Sequence, residues 1–244
     1  MIAFLTSTPS GAYRREEPSP LPINEENGLL WRLRQHWPEK ARVLTIAADP
    51  GAFHINDSIE TWYHSLFPLS GLSFSALRTC DYRDEAAVRA LKEYDVVILS
   101  GGHVPTQNAF FHKIGLREAL RGYEGILISI SAGTMNCAET VYAQPEMDGE
   151  SIDPGYRRFL PGLGLTTRMI LPHYQAVKDD WLDGKRLFED ITYGDSFGRE
   201  FYALPDGSYL LLENGTETIC GECLRIRDGA IERICRNGET LRLR

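Results

Sequence analysis

The strongest constraint on this 244-residue chain is the alternation of short apolar runs with longer amphipathic segments over its first 140 residues. The clearest apolar runs are RVLTIAA (42–48), DVVILSGG (95–102) and GILISI (125–130), and none of them alternates apolar with polar residues. Such runs are typical of parallel strands covered on both faces. The sequence therefore predicts an α/β fold, a three-layer sandwich whose mostly parallel central sheet is flanked by helices.

The remaining elements follow from the same patterns. Strands are also predicted at 2–6, 72–79, 168–174, 199–206 and 208–214, and helices at 24–37, 56–67, 84–94 and 105–123. Turn sequences such as LPDGSY and ENGT predict hairpins towards the end of the chain. We expect one domain over 1–244, with an active-site loop at 143–160 and a C-terminal β-hairpin extension at 215–244.

Composition narrows the classes of partner and compartment. The net charge is −8, which argues against nucleic acid or an anionic membrane surface, because both require clustered Lys and Arg. No apolar run reaches the length of a membrane span, and the short apolar start is interpreted as a first strand and not as a signal peptide. The five cysteines, an odd number, favour a reducing cytoplasm over a disulfide scaffold.

Two neighbouring predicted strands end in residues suited to chemistry. One ends in Gly101-Gly102-His103 and the other in Ser131-Ala132-Gly133. A nucleophile on a sharp strand-to-helix turn presents its oxygen above the sheet, beside backbone N–H groups that can stabilise an oxyanion. The usual pattern is G-x-S-x-G, and here Ser129 replaces its first glycine. Serine is also a preferred helix N-cap, so the motif alone leaves nucleophile and cap both open for Ser131.

A serine nucleophile needs a base and an acid that orients this base. Of the six histidines, His173 is the best candidate because it follows a proline at the end of a predicted strand. Asp206 lies at another strand end, in ALPDGSY. LPDG is also an ordinary turn sequence, and the residues alone favour the turn.

These segments, taken in order, resemble the dipeptidase E and cyanophycinase family of serine peptidases, which have a class I glutamine amidotransferase-like fold. The matching segments are GGH (101–103), SAG (131–133), PHY (172–174) and LPDG (204–207). In that family they correspond to a GGN turn, a WSAGA elbow, an NPHF segment and an LPEG turn. The resemblance is closest to the dipeptidase E branch and extends from the first strand to about Asn214.

The resemblance implies that Ser131 is the nucleophile, His173 the general base and Asp206 the orienting acid. It also implies an oxyanion hole formed by the backbone N–H groups of Gly102 and Ala132. The expected reaction is hydrolysis of a small peptide with a free amino terminus, through an acyl-enzyme, by a monomer or homodimer. No metal or organic cofactor is implied.

Several residues are candidates for substrate binding: Gly101, His103, Tyr174, Lys185 and Arg186. His103 replaces the asparagine of GGN, and Tyr174 either walls the pocket or packs in the core. The family's GxTREQR segment corresponds to DGKRLFED in this sequence. Lys185 or Arg186 in this segment either binds an acidic side chain of the substrate or is a charged residue on the solvated face of a helix. Asp206 lies at the position where glutamate is common in the family. The aspartate carboxylate reaches about 1.5 Å less far than that of glutamate, so the backbone must bring it closer to the histidine.

Other polar residues have competing interpretations. Cys220 and Cys223 form a CxxC that lacks further ligands at the spacing of a zinc site. Cys137 is expected in the core. Asp148 and Glu150 lie in the 143–160 loop and either bind a substrate amino group or are simply solvated.

Two other functions compete with the peptidase. A binding or sensing protein could keep the fold and lose activity, given the departures at Ser129, His103 and Asp206. An amidase acting on a non-peptide metabolite would keep the three predicted catalytic residues and change only the pocket.

Overall fold

The computed structural model describes residues 1–10 and 21–244. Its strands are β1 (Ile2–Thr6), β2 (Ala41–Ile46), β3 (Phe74–Cys80), β4 (Val96–Leu99), β5 (Ile126–Ile130), β6 (Thr140–Tyr142), β7 (Phe159–Pro161), β8 (Met169–Leu171), β9 (Trp181–Leu182), β10 (Lys185–Arg186), β11 (Glu200–Ala203), β12 (Tyr209–Glu213), β13 (Thr216–Cys220), β14 (Cys223–Arg227), β15 (Ala230–Cys235) and β16 (Thr240–Arg242). Its α-helices are α1 (Leu29–His36), α2 (Phe53–Leu69), α3 (Val104–Lys113), α4 (Leu116–Ala119), α5 (Ala132–Asn136), α6 (Tyr174–Val177) and α7 (Tyr193–Asp195). Segments Glu26–Gly28 and Glu85–Glu93 are 3₁₀-helical, and Leu187–Thr192 is a π-helix.

The central sheet has eight strands within the described residues, in the order β16-β13-β12-β1-β5-β4-β2-β3. Strands β1, β5, β4, β2 and β3 are parallel, and β12, β13 and β16 continue the sheet antiparallel from β1. The inner parallel strands β1, β2, β4 and β5 have apolar runs without alternation, and their residues are almost all buried. The edge strand β3 is partly exposed. The predicted α/β fold is confirmed.

The sheet lies between two apolar layers. On one face, Phe4 and Ile128 pack with the apolar residues of α1 and α2, among them Leu33 and Phe67. On the other face, Leu5 and Leu99 pack with α3, α4 and the 85–93 segment. Alternate residues of each strand therefore enter different cores, as the pleat requires.

A second sheet beside the first has the order β15-β14-β11-β8, in which β8 and β11 are parallel. The C-terminal segment contributes to both sheets, since β13 and β16 join the central sheet whereas β14 and β15 join the second. This arrangement brings the ends of β8 and β11 next to the central sheet, where Leu204 belongs to the same apolar core as Leu5.

The predicted helices differ from the structure in detail. The predicted helix over 105–123 is interrupted at Gly115, whose φ of 66° is left-handed, so two shorter helices form. Segment 84–94 is 3₁₀-helical instead of α-helical, with a kink at Ala90. In the described ranges, no helix combines the length and apolar character that crossing a bilayer requires.

Gly133 allows α5 to approach β4 closely. A Cβ atom added at this position would lie 2.6 Å from the carbonyl oxygen of Leu99 and 2.8 Å from its Cβ. Backbone atoms of a central strand cannot move aside cheaply, so this position excludes any side chain.

We expect Gly133→Ala to lower the free energy of unfolding by about 1–3 kcal/mol, because the added methyl group overpacks the contact between α5 and β4. Urea unfolding measures the change. The matched control is Gly194→Ala, since a Cβ at Gly194 meets no atom within 4 Å. Equal stability of the two variants would contradict the packing explanation.

Candidate active site

The ends of two neighbouring strands place Gly102 near Ser131. Strands β4 and β5 are parallel, and Leu99 pairs with Ser129 in their register. The loop 100–103 and the turn at Ser131 therefore leave the same edge of the sheet. Ligands of open parallel sheets bind at this edge.

The second sheet brings His173 and Asp206 together in the same way. Ala203 of β11 pairs with Leu171 of β8, and the chain continues for two or three residues beyond each. Beyond the strands, the Leu204 N–H donates to the Leu171 carbonyl at 2.8 Å. The parallel register thus carries the base and acid predicted from the sequence to one place.

Ser131 has a strained backbone conformation. Its φ of 51° and ψ of −114° lie in a region that residues with side chains rarely adopt. The structure shows no capping hydrogen bond from this side chain to α5. Strain at a strand-to-helix turn is typical of a nucleophile elbow. A helix cap would require a hydrogen bond from the Ser131 hydroxyl to α5, which is not formed, so the nucleophile interpretation is favoured.

Ser129, at the elbow's usual glycine position, is accommodated by a buried hydrogen-bond chain. Its hydroxyl lies 2.8 Å from the Thr134 hydroxyl, which in turn donates to the Thr6 carbonyl at 2.7 Å. The Thr6 hydroxyl donates to the Ser129 carbonyl at 2.8 Å. A serine side chain is tolerated at position 129 because its hydroxyl group has a hydrogen-bond partner in the core.

His173 and Asp206 form a hydrogen-bonded pair of nearly buried side chains, which are 7% and 8% exposed. The His173 Nδ1 atom lies 2.7 Å from Asp206 Oδ1. A carboxylate only accepts, so we assign the proton to Nδ1, which leaves Nε2 as the basic nitrogen. The shorter aspartate therefore reaches the histidine.

Two further residues hold this pair in place. Gln175 donates from its amide nitrogen to Asp206 Oδ2 at 2.7 Å, and its amide oxygen accepts the Asp206 backbone N–H at 2.9 Å. The Ser7 hydroxyl accepts the His173 backbone N–H at 3.2 Å and donates to the Leu204 carbonyl at 3.0 Å. Sequence analysis assigned neither residue this role.

Two cavities meet at these residues. The small lobe has a volume of about 130 Å³ and the large lobe about 430 Å³. Four residues line both lobes: Gly102, Ser131, Glu146 and His173. A molecule bound here contacts the predicted nucleophile and base from either lobe.

Gly102 and Ala132 lie beside Ser131 and line the small lobe. Ala132 begins α5, and the first N–H groups of a helix have no acceptor within that helix. A Cβ atom at Gly102 would lie 2.6 Å from the Ala48 Cβ, so the loop keeps its position only with glycine. Both N–H groups are thus candidates for donation into the site.

Glu146 is the acidic residue that lines both lobes, and sequence analysis did not single it out. The surrounding protein desolvates its carboxyl group and raises its pKa, an effect that His103 and His173 oppose. The side chain is nevertheless exposed to solvent, so the desolvation is partial. A cationic group bound there would favour the ionised carboxylate.

The loop over 143–160 connects β6 to β7, and Gln144, Pro145 and Glu146 reach the small lobe. His103 anchors this loop because its Nε2 atom lies 2.8 Å from Glu150 Oε1. The other Glu150 oxygen accepts the backbone N–H groups of Glu146 and Met147 at 2.9 and 3.0 Å. His103 thus acts on the site through Glu150.

The other predicted binding residues lie in different surroundings. Gly101 lines the large lobe. Tyr174 packs edge-on against Phe188, and Arg186 pairs with Asp190. Lys185 donates to the Ser151 carbonyl at 3.3 Å, and the described residues that line the two lobes include neither Lys185 nor Arg186.

The cysteines are buried and free. Cys137 lies in the core, as predicted, and burial raises the pKa of its thiol to about 12. Cys220 and Cys223 lie on different strands, β13 and β14. Among the described residues, no three His, Cys, Asp or Glu side chains are grouped so that they could hold a metal ion.

Comparisons with known proteins identify the family of the chain. Residues 39–220 match the model of peptidase family S51. A solved structure of a candidate peptidase E protein from Listeria monocytogenes EGD-e is 15% identical and has a TM-score of 0.51, with 100% of this chain and 98% of that chain covered. No curated protein matches the sequence. The chain therefore belongs to peptidase family S51 and is a serine-type peptidase.

Proposed function

We propose that the protein hydrolyses dipeptides or other small peptides with a free amino terminus, and that Ser131, His173 and Asp206 form its catalytic triad. The observation that carries this proposal is the strained Ser131 elbow in the same two cavities as His173, whose Nδ1 atom is bonded to Asp206. Gln144, Pro145 and Glu146 of the loop after β6 form part of the lining of the small lobe, which favours short substrates over long chains.

In the proposed first step, His173 Nε2 takes the Ser131 hydroxyl proton while Oγ attacks the substrate carbonyl carbon. The N–H groups of Gly102 and Ala132 stabilise the resulting oxyanion. The His173 imidazolium then protonates the leaving amine, the C–N bond breaks and an acyl-enzyme ester remains. Water, deprotonated by His173, hydrolyses this ester and restores Ser131. Asp206 stabilises the imidazolium throughout.

The departures from the family pattern do not favour the alternative of an inactive binding protein. The Ser129 hydroxyl is hydrogen-bonded within the core, and the Asp206 carboxylate reaches the His173 ring. His103 anchors the loop that carries Glu146. Each changed residue therefore has a place in the site that leaves Ser131 and His173 facing the same cavities.

Glu146 supports the requirement for a free amino terminus. Its partly desolvated carboxylate lies in both lobes beside Ser131 and gains most from a cationic partner. The α-amino group of a dipeptide is such a cation, two bonds away from the carbonyl carbon that Ser131 attacks.

We expect Ser131→Ala to lower kcat for dipeptide hydrolysis by about 10³-fold or more, because it removes the nucleophile. It should also abolish covalent labelling by a fluorophosphonate, measured by intact-protein mass spectrometry. The control is Ser75→Ala, at an exposed serine on β3. This variant should hydrolyse dipeptides and be labelled by the fluorophosphonate like the wild type. Labelling of Ser131→Ala, or a kcat of this variant within about tenfold of the wild type, overturns the assignment.

We expect Gln175→Ala to lower kcat by about 10- to 100-fold, because Asp206 loses the amide that fixes its second carboxylate oxygen. In an Asp206→Ala background, the same change should have less than about a twofold effect. Steady-state kinetics of the four proteins measure this coupling. Equal losses in both backgrounds would show that Gln175 acts independently of Asp206.

We expect Glu146→Gln to reduce the preference for a free dipeptide over its N-acetylated counterpart by about 10- to 100-fold in kcat/KM, because a charge-assisted hydrogen bond is lost. Asp148→Asn is the matched control, since it removes the same charge from an exposed position of the same loop. The amino-group role fails if Glu146→Gln slows both substrates equally or if Asp148→Asn has the same effect.

A further inference from the structure

The large lobe has an apolar wall provided by α2. Ile59, Trp62 and Tyr63 line it, and their spacing of three and four residues places them on one face of the helix. Ile130, immediately before Ser131, also lines the lobe and packs against the same apolar cluster as Ile59 and Trp62. The wall is thus continuous with the predicted nucleophile.

This wall is held rigidly from behind. Tyr63 is 2% exposed and stacks on Phe67 with ring centroids 5.3 Å apart. The Trp62 ring lies 5.2 Å from the Tyr63 ring and remains half-buried, as do Ile59 and Ile130. These three side chains therefore keep apolar surface that a bound group can still cover, on a preformed support.

The described residues that line the large lobe supply no Lys or Arg for an acidic substrate side chain. The titratable residues that line it near Ser131 are Glu146 and His173, and no described Lys or Arg lines it. An aspartate side chain would face Glu146 with no cation among the described lining residues. When an apolar side chain binds there, its apolar surface and that of Trp62 are both removed from water, which favours binding.

We propose that the large lobe binds a large apolar or aromatic side chain of a residue next to the scissile bond. The inference rests on the proposed function, because Ser131 and His173 line the same lobe. The volume of the large lobe, about 430 Å³, lies in the range of small-molecule sites. It is more than three times the volume of the small lobe. The large lobe thus has room for an aromatic ring.

The test is hydrolysis of two dipeptide series, Xaa-Ala and Ala-Xaa, in which Xaa is Ala, Leu, Phe, Lys or Asp. In one of the series, we expect Phe or Leu to exceed Ala in kcat/KM by about 10- to 200-fold, the range that added apolar groups contribute in a hydrophobic pocket. Highest activity with Asp, or no difference between Phe and Ala in either series, overturns the inference.

Two variants locate the effect in the wall. Trp62→Ala and Ile59→Ala should each reduce the ratio of kcat/KM for the Phe dipeptide to that for Ala-Ala at least about fivefold. Trp31→Ala, at a tryptophan of α1 that is 61% exposed, is the matched control. An unchanged Phe preference in both wall variants also overturns the inference.

Fluorophosphonate labelling of Ser131 in each variant confirms that the site is folded.

Failure of the inference is distinguishable from failure of the proposed function. If dipeptides are cleaved and Ser131 is labelled but apolar residues have no advantage, only the inference fails. If no dipeptide is cleaved and Ser131 is not labelled, the proposed function fails with it.

Discussion

The carboxyl end of β1 holds the candidate active site together. The Ser131 backbone N–H donates to the carbonyl groups of both Thr6 and Ser7 at 3.1 Å. The Ser7 hydroxyl fixes the His173 backbone and bonds to the Leu204 carbonyl, and the Thr6 carbonyl accepts the Thr134 hydroxyl. One strand end thus connects the elbow after β5 with the ends of β8 and β11.

This connection explains how a strained residue persists. A positive φ at a residue other than glycine costs of order 1–3 kcal/mol and survives only where the surroundings determine it. At Ser131, the backbone is held by β1, while the close approach of Gly133 to Leu99 fixes the start of α5. His173 also has a positive φ, of 59°, and is held by Ser7. Both strained residues face the same two lobes, which is where strain has a functional use.

Much of this arrangement was predictable from the sequence, because it depends on strand ends. Apolar runs without alternation predict the parallel strands of the central sheet, and Ser131 directly follows one of them. His173 and Asp206 also lie at the ends of predicted strands, but the parallel pairing of these strands in a second sheet was not predicted. Gly115 was harder to interpret, since an isolated glycine inside a helical pattern either continues the helix or ends it. Here its left-handed φ ends α3.

Glu146 and Gln175 could not be assigned from local patterns. Gln175 meets Asp206 only because β8 and β11 pair in parallel with a particular register. Glu146 reaches the lobes only because the loop after β6 returns over the sheet edge and is anchored through Glu150 to His103. The acidic residues that stand out in the loop sequence, Asp148 and Glu150, are respectively exposed and engaged with His103.

The central claim is that the turn at Ser131 and the loop at Gly102 form a preorganised site for a tetrahedral intermediate. A crystal structure of the protein after reaction with a fluorophosphonate tests it most directly, because the bound phosphonyl group imitates that intermediate. The account predicts a bond from phosphorus to Ser131 Oγ and one phosphonyl oxygen about 2.7–3.1 Å from the backbone nitrogens of Gly102 and Ala132. A phosphonyl oxygen directed away from both nitrogens, or an adduct on another residue, would contradict it.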